Sequence, residues 1–354
     1  MKLSVPYIPD PEYSDYLLTK IPLLESLYFS LGSGPVLDSR IRFSSLDARS
    51  LAQGLLPFPR VKKYCLLNSR FIRPDLCLDP SFLTQTLDSL EILFNTCGLT
   101  GIVFTDFYFL NGLAQTGHPV LSKIEALPGV NCMIDNSQKA LALLEMIEAT
   151  PFIPPGKIVL DRSLNRDLPG LATTVQGIKS LYPKVRIEVL ANEGCIFQCP
   201  FKPAHDAQIS LSNTGLVRET TCRLNQRLGC HAYFHEHGHR FFKSPFIRPE
   251  DLHYYKGLAD SAKLCGRTLG RRFLIPCMDA YLEQSFDGNL LELMDAAHFL
   301  SGLYKVDNKK LDPGFFNTLT SCTKECKYCR LCENLFSRTA RTNKTILKPY
   351  EEYE

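Results

Sequence analysis

The sequence predicts an α/β fold, a (β/α)8 TIM-barrel-like domain that is irregular in its first third. Short runs rich in β-branched and aromatic residues recur along the chain, and most are followed by a stretch with helical hydrophobic periodicity. This alternation is typical of parallel strands joined by helices. An open doubly wound sheet is the alternative, but the glycine-rich phosphate-binding turn typical of that fold does not follow the first run.

The predicted strands are eight short runs. They cover Lys2–Tyr7, Ser26–Leu31, Tyr64–Asn68, Gly101–Phe107, Val130–Asp135, Lys157–Arg162, Val185–Leu190 and Ser261–Cys265. The clearest helical patterns cover Ser81–Thr96, Ser137–Glu148, Leu168–Leu181, Pro249–Leu258 and Leu269–Leu282. The pattern at Pro249 begins with proline and places two acidic residues in its first turn, which favours a helix N-terminus.

The alternation stops after Leu190, and residues 191–248 contain many Cys, His and Gly residues. A long irregular segment inside a compact fold is commonly functional. We therefore predict a barrel domain at residues 1–300 with a Cys/His-rich insertion at about 191–248. Residues 301–354 are predicted to form a Cys-rich C-terminal extension with a basic, polar end.

The composition, 45% hydrophobic and 22% charged residues over 354 positions, is typical of a globular protein with a large core. A formal charge of +3 is too small to predict nucleic-acid binding by itself. The N-terminal residues lack the apolar segment of a signal peptide, and no apolar run reaches membrane-spanning length. We therefore predict a cytoplasmic protein without a membrane partner. Because thiols stay reduced there, the 14 cysteines indicate metal binding rather than disulfides, and they suggest a cell that lives without oxygen.

Four cysteines lie close together near the C-terminus, at Cys322, Cys326, Cys329 and Cys332. This spacing is close to a reversed bacterial ferredoxin motif, so it predicts a [4Fe–4S] cluster. Zinc is the alternative, although zinc sites usually separate two Cys-x2-Cys pairs by a longer loop. A disulfide or uninvolved thiols are the remaining possibilities.

A second set of cysteines lies in the insertion, at Cys195, Cys199, Cys222 and Cys230. The first two directly follow a predicted barrel strand, so these thiolates are predicted to hold a [4Fe–4S] cluster over the barrel mouth, with zinc as the alternative. Cys265 ends the last predicted strand and is an alternative ligand to Cys222 or Cys230. The expected cofactor is therefore one or two four-iron clusters. The apolar surroundings of four other cysteines predict core positions for Cys65, Cys97, Cys132 and Cys277.

Residues at the carboxyl ends of barrel strands face the active site. These positions are Asn68, Arg70, Asp106, Asp135, Asn136, Asp161, Arg162, Asn192, Glu193, Lys263 and Arg267. Arg162 and Arg267 are candidate catalytic residues because arginine binds carboxylates and phosphates in a bidentate manner, with structural ion pairs as the alternative. His205, beside Asp206, is the candidate acid–base residue. Helix capping is an equal alternative for Asp135 and Asn136.

The run His235-Glu236-His237-Gly238-His239 fits the His-Glu-x-x-His pattern of zinc metalloproteases. That chemistry needs both histidines on one face of a regular helix. Gly238 lies inside the motif and the flanking residues are aromatic and basic, so we predict a loop or extended segment beside the metal site.

Three segments resemble the collagenase-like peptidase family U32. They are the Asn-Glu-Gly-Cys-x3-Cys-Pro segment at 192–200, the Phe-Ile-Arg-Pro-Glu-Asp-Leu segment at 246–252, and the Ala-Lys-Leu-Cys-Gly-Arg segment at 262–267 with Ala280-Tyr281 in the helix after it. The resemblance covers roughly residues 100–290. The chain departs from the family in carrying Cys265 where a glutamate is usual, and in its C-terminal four-cysteine motif, so it resembles a remote member.

The resemblance implies a TIM-barrel-like domain with a cysteine-bound four-iron cluster over its mouth. It also implies oxygen-independent hydroxylation of ubiquinone precursors, a transfer RNA wobble uridine or a ribosomal RNA cytidine, with an organic acid such as prephenate as the oxygen source. The glutamate-to-cysteine departure leaves this substrate chemistry open for the chain.

Three functions follow as hypotheses. The first is an iron–sulfur-dependent oxidoreductase or hydroxylase acting on a small organic acid or an RNA substrate. The second is a U32-type peptidase, and the third is a non-catalytic iron–sulfur or zinc subunit paired with a second U32-like subunit. An RNA partner is considered because four residues near the C-terminus are basic: Arg338, Arg341, Lys344 and Lys348.

Overall fold

The computed structural model describes residues 1–32, 37–40, 46–217 and 221–342, and its centre is a sheet of eight parallel strands. The strands are β1 (Lys2–Pro6), β2 (Leu24–Ser30), β3 (Lys62–Leu67), β4 (Gly101–Phe104), β5 (Glu125–Pro128), β6 (Lys157–Val159), β7 (Arg186–Leu190) and β8 (Ser261–Lys263). Their order in the sheet is β5-β4-β3-β2-β1-β8-β7-β6.

The two edges of this sheet approach each other. The backbone N–H of Ala126 in β5 donates to the carbonyl of Ile153, 3.1 Å away, and the N–H of Ile153 donates to the carbonyl of Ile124 at 3.0 Å. Because Ile153 lies just before β6, these bonds join β5 to the segment that leads into the opposite edge. The predicted (β/α)8 TIM-barrel-like fold is confirmed as a nearly closed barrel.

Helices surround the barrel and form the insertion and the extension. They are α1 (Pro11–Lys20), α2 (Ala48–Leu55), α3 (Pro74–Leu78), α4 (Pro80–Cys97), α5 (Phe107–Gln115), α6 (Ser137–Glu148), α7 (Leu168–Leu181), α8 (Lys202–Asn213), α9 (Thr221–Leu228), α10 (Cys230–Glu236), α11 (Arg271–Glu283), α12 (Phe315–Thr320) and α13 (Leu331–Thr339). None of the helices in the described ranges is long and apolar enough to cross a membrane.

Local sequence signals fix the ends of α4. The Asp79 side chain accepts hydrogen bonds from the backbone N–H groups of Ser81 and Phe82, and Pro80 occupies the first helical position. Gly98 ends the helix in the left-handed region, at φ +72°, which costs glycine little. The helices predicted at Ser137–Glu148 and Leu168–Leu181 have those bounds in the structure.

One predicted strand is wrong, and one predicted helix differs in its type and its end. The strand predicted at Val130–Asp135 is absent from its place in the described chain: the fifth strand is Glu125–Pro128, and Val130–Cys132 is a 3-10 turn followed by Met133 at φ +52°. An apolar run that turns back on itself looks like a strand in sequence. The helix predicted at Pro249–Leu258 is a 3-10 helix at Pro249–Tyr255.

The strands predicted to end at Phe107 and Arg162 are also shorter in the structure. Asp106 caps α5, and Asp161 caps a 3-10 turn at Arg162–Arg166, so each carboxylate starts a helical turn where the prediction continued the strand. Asn136 likewise caps α6 by accepting a hydrogen bond from the N–H of Lys139, in agreement with the capping alternative.

The insertion is more regular than predicted, because α8, α9 and α10 and a 3-10 helix at Gly238–Lys243 occupy most of it. The C-terminal extension packs on that 3-10 helix. The Phe336 ring lies 6.3 Å from the ring of Phe242 and 5.1 Å from that of Tyr304. A Cβ added to Gly238 would lie 2.7 Å from the Tyr304 ring, so glycine allows this close approach.

The extension also pairs with itself. Strand β9 (Tyr304–Val306) runs antiparallel to β10 (Ala340–Thr342), which carries Arg341. Arg338 lies near the end of α13, whereas Lys344 and Lys348 lie outside the described residues.

A buried ion pair occupies the barrel interior. Lys157 Nζ lies 2.9 Å from Glu188 Oε2 and also 2.9 Å from the hydroxyls of Ser4 and Ser26, while the Ser261 hydroxyl donates to Glu188 at 2.8 Å. Both charged side chains are 1% exposed. Burial would raise the pKa of Glu188, but the ammonium groups of Lys157 and Lys263 outweigh it and the pKa is lowered. These five residues connect β1, β2, β6, β7 and β8.

Glu188→Gln should lower the free energy of unfolding by about 3–5 kcal/mol, because it leaves the Lys157 ammonium buried without a counter-charge. Urea unfolding measures this loss. Lys309→Ala is the control, since the Lys309–Asp287 pair is as short, at 2.7 Å, but well exposed, and its loss should cost far less. Equal losses in the two variants would contradict the expectation.

Candidate functional site

A cavity of about 460 Å³ opens at the carboxyl ends of the barrel strands, and we call it the mouth cavity. Its barrel side includes Tyr28, Asn68 and Lys263, and the insertion covers it with Lys202, His205, Cys230, His231 and Phe234, among others. The carboxyl ends of parallel strands meet on one side of a barrel, so the residues there converge although they are far apart in sequence.

Four cysteines line the mouth cavity: Cys195, Cys199, Cys230 and Cys265. The side chain of Cys222 lies outside the described part of the structure, although its backbone belongs to α9. None of the described cysteines forms a disulfide. The cavity thus contains three of the cysteines predicted to hold a cluster together with the predicted alternative ligand.

Burial keeps the proton on three of these thiols. Burial raises the pKa of Cys195 and that of Cys199, and it raises the pKa of Cys265 to about 12. The Cys195 thiol donates a hydrogen bond to Glu193 Oε1 at 2.9 Å. Because metals bind the thiolate, loading this site must release protons.

The donor set fits an iron–sulfur cluster. Cluster iron is bound by thiolates, and a thiol-lined cavity of about 460 Å³ has room for an inorganic centre. In the described ranges, no group of three or more Cys, His, Asp or Glu side chains is spaced to hold a single ion. Cys195, Cys199, Cys230 and Cys265 would hold the cluster.

Cationic side chains surround these thiols. Arg162 forms a buried ion pair with Glu193, and Arg40 lies 3.1 Å from the carboxylate of Asp295. Burial disfavours the Arg162 guanidinium, but the Glu193 carboxylate and other anions outweigh it and raise the pKa of Arg162. Burial also favours the neutral form of Glu193, yet Arg162 and Arg40 lower the pKa of Glu193 to about 2.

Arg267 lies at the same opening and pairs with Asp38, with both side chains buried. Its Nε is buried and makes no hydrogen bond within the described residues. Lys263, in the neighbouring strand β8, places its Nζ 4.0 Å from the centre of the Tyr28 ring. Burial lowers the pKa of Lys263, and Glu188 acts in the opposite direction.

Three histidines line the mouth cavity. The pKa of His205 is lowered by burial and by Arg40, and its Nε2 lies 3.3 Å from Asn225 Nδ2. Burial lowers the pKa of His231 to about 4, and this ring stacks on Phe299 at 3.8 Å. The pKa of His298 is also lowered by burial, and its Nδ1 is buried without a partner in the described residues. All three imidazoles are therefore neutral near pH 7.

The structure thus brings the three predicted catalytic residues, Arg162, His205 and Arg267, to one cavity. Asp206 is held by Lys202, with an Nζ–Oδ2 distance of 2.8 Å. Sequence reasoning missed several residues of the mouth cavity, namely Arg40, Lys202, His231, Asp295 and His298. The available signal was weak: His231 directly follows Cys230, and Lys202 lies three residues after Cys199.

A second, smaller cavity lies under the C-terminal extension, and we call it the tail cavity. It is lined by Arg166, His239, Arg240, Phe242, Lys243, Leu319, Cys322, Lys324, Cys326, Cys329, Cys332 and Glu333. All four cysteines of the C-terminal motif therefore face one space. Burial and the neighbouring thiols raise the pKa of Cys332 to about 11. The two cavities share none of their lining residues.

The His-Glu-x-x-His run does not form one helix. His235 lies near the end of α10, which stops at Glu236, and His239 belongs to the following 3-10 helix. The expected loop or extended segment is therefore wrong in its secondary structure, whereas the expectation that this run lacks a metalloprotease helix holds in the described chain. His239 lines the tail cavity.

Glu193→Gln should change how stability depends on pH. The folded-state pKa of Glu193 is about 2, below its ordinary value of 4.5, so the ionised carboxylate stabilises the fold above pH 4.5. That contribution is lost as the pH falls towards 2. The difference in free energy of unfolding between wild type and variant, measured in urea, should therefore shrink between these values. A difference that grows on acidification would contradict this assignment.

No family model matches the chain. Over 190 residues it is 32% identical to an uncharacterized protease of Methanocaldococcus jannaschii, and the alignment covers 52% of this chain and 53% of that protein. The chain thus spans about half the length of this curated relative. The solved structure of the U32 peptidase Mk0906 matches 74% of this chain and 92% of that one, with a TM-score of 0.49 and 13% identity. The chain is therefore similar, over about half of its length, to an archaeal protein that is named as a protease.

Proposed function

We propose that this protein is an iron–sulfur-dependent redox enzyme that acts in the mouth cavity on an anionic organic substrate. The observation that carries the proposal is the lining of that cavity: four cysteines lie with Arg40, Arg162, Lys202, Lys263 and Arg267. Thiolates bind a four-iron cluster, and guanidinium and ammonium groups bind anionic substrates. Four of the five cations also pair with Asp or Glu side chains, which holds them in place around the cavity. A peptide substrate would need no such collection of thiols.

The four proposed cluster ligands are Cys195, Cys199, Cys230 and Cys265. Cys265 replaces Cys222 in the predicted set, because its side chain lines the cavity with the other three. When bound, the cluster would supply one-electron transfer. This chemistry is compatible with the oxygen-independent hydroxylation that the U32 resemblance implies.

The protein side chains bind the substrate and handle its protons. Arg267 offers its unpartnered Nε and lies beside Lys263, so this side of the cavity suits a carboxylate or a phosphate. His205 is neutral near pH 7 and can accept a proton from a substrate hydroxyl. Phe234 and Phe299 give the cavity apolar walls that limit water.

Cys195→Ser should lose about four iron atoms per chain, because a tetrahedral cluster depends on all of its thiolate ligands. Iron and acid-labile sulfide, measured after anaerobic purification together with the visible spectrum, report this loss without an activity assay. Cys97→Ala is the control, since Cys97 is buried at the end of α4, away from both cavities. Its iron content should equal that of wild type.

Cys222→Ser separates the two ligand sets. With Cys265 as the fourth ligand, Cys222→Ser keeps its iron and Cys265→Ser loses about four iron atoms. If instead Cys222→Ser loses the iron and Cys265→Ser keeps it, Cys222 is the fourth ligand, and the proposed cluster in the mouth cavity still stands. Full iron content in Cys195→Ser, by contrast, would rule out a cluster in the mouth cavity.

The peptidase alternative is supported by the name of the curated relative. It predicts cleavage of a peptide or gelatin substrate that survives removal of iron by a chelator under anaerobic conditions. The redox proposal predicts no such cleavage in the loaded protein or in the chelated one. Peptide cleavage that persists after the iron has been removed would overturn the redox proposal.

A further inference from the structure

We propose that the tail cavity holds a second four-iron cluster, bound by Cys322, Cys326, Cys329 and Cys332, that passes electrons to the mouth cavity through Arg166. The electron-transfer part rests on the proposed function, because it needs a cluster at the mouth. One electron leaves the reduced tail cluster and reduces the mouth cluster. A reduced one-electron carrier protein then restores the tail cluster.

The first support is a buried cation that lacks an anion. Arg166 is 3% exposed and lines the tail cavity. Its Nε and Nη2 donate to the carbonyl of Ser244 at 3.0 and 2.7 Å, and within the described residues it forms no ion pair with a carboxylate. The Arg166 guanidinium also stacks over the ring of Phe246 at 4.8 Å. A buried guanidinium without a counter-charge is costly, and a thiolate-bound cluster would provide that charge.

The second support is an unpartnered nitrogen beside the same thiols. His239 Nε2 is buried, makes no hydrogen bond within the described chain, and lies 3.8 Å from Glu333 Oε1. A sulfur atom of a metal centre in the cavity would give this nitrogen a hydrogen-bond partner. Arg166 and His239 thus each lack a partner that such an occupant would supply.

The loop backbone already turns towards the sulfurs. Lys324 adopts the left-handed conformation, at φ +65°, and its N–H donates to Cys322 Sγ at 3.4 Å. Hydrogen bonds from the backbone to the ligand sulfurs are among the features that set cluster potentials. Lys324 Nζ also donates to the carbonyl of Arg166 at 2.8 Å, which fixes the cysteine loop to the barrel.

Arg166 also leads to the mouth cavity. It donates to the carbonyl of Ser244, and the Ser244 hydroxyl donates to the carbonyl of Gly194 at 3.1 Å. Gly194 is joined by a peptide bond to Cys195, a proposed ligand of the mouth cluster. Two successive hydrogen bonds therefore connect Arg166, which lines the tail cavity, to the residue that precedes Cys195.

The metal content of three anaerobically purified full-length proteins tests the site. Wild type should contain about eight iron and eight sulfide per chain, and Cys326→Ser and Cys195→Ser about four each. About four in wild type, lost in Cys195→Ser and kept in Cys326→Ser, would overturn the tail cluster and leave the proposed function. About four iron atoms in wild type that only Cys326→Ser removes would support the tail cluster. They would overturn the mouth cluster, and with it the electron transfer and the proposed function. Zinc that only Cys326→Ser removes would overturn a redox role for the tail.

The potential of the tail cluster tests the role of Arg166. Measured in the Cys195→Ser background, Arg166→Gln should shift its midpoint potential to a more negative value, because the reduced cluster carries one more negative charge and loses a buried cation. Arg166→Lys should restore much of the shift. Arg330→Gln is the control, since that side chain is 80% exposed. An unchanged potential in Arg166→Gln, with iron retained, would overturn the assignment.

Electron paramagnetic resonance tests the exchange of electrons. With both clusters reduced in wild type, nearby spins should broaden or split each other's signals, and Cys326→Ser should show one unbroadened signal. If the signals of wild type are the simple sum of those of the two single-cluster variants, the clusters are too far apart to exchange electrons and the relay is overturned.

Discussion

The Lys157–Glu188 pair inside the barrel is the interaction on which the rest of the architecture depends. It connects five of the eight strands through three serine hydroxyls, at the centre of a sheet whose edges only just meet. Because both charges are buried, each is stabilising only while the other is present. The carboxyl ends of the strands are held in one ring by this network, and the mouth cavity forms there.

The mouth cavity shows how one fold can combine thiols with compensated charges. Glu193, just after β7, accepts a hydrogen bond from Cys195 and is paired with Arg162, so one carboxylate contacts both a potential ligand and a cation. Arg267, which follows the adjacent strand β8, is paired with Asp38 but keeps one donor unpartnered. Such an arrangement is suited to an anionic ligand that arrives after the fold is complete.

The insertion and the C-terminal extension act as one structural layer. The insertion contributes His239 and Phe242 to the tail cavity, and the extension contributes its four cysteines and packs Phe336 against Phe242. Ser244 accepts a hydrogen bond from Arg166, which lines the tail cavity, and donates one to Gly194, which precedes Cys195. Any centre in the tail cavity would therefore lie close to the chain that leads to Cys195.

The sequence by itself determined the local features. Capping residues and hydrophobic periodicity located α4, α6 and α7, and cysteine spacing identified both candidate sets, because these signals act between neighbours in the chain. Only the tertiary structure decided that Cys265 lies with Cys195, and that Arg166 faces Cys332 and its neighbours. Barrel closure and the docking of the extension bring together residues more than 60 positions apart, and no local pattern records such contacts.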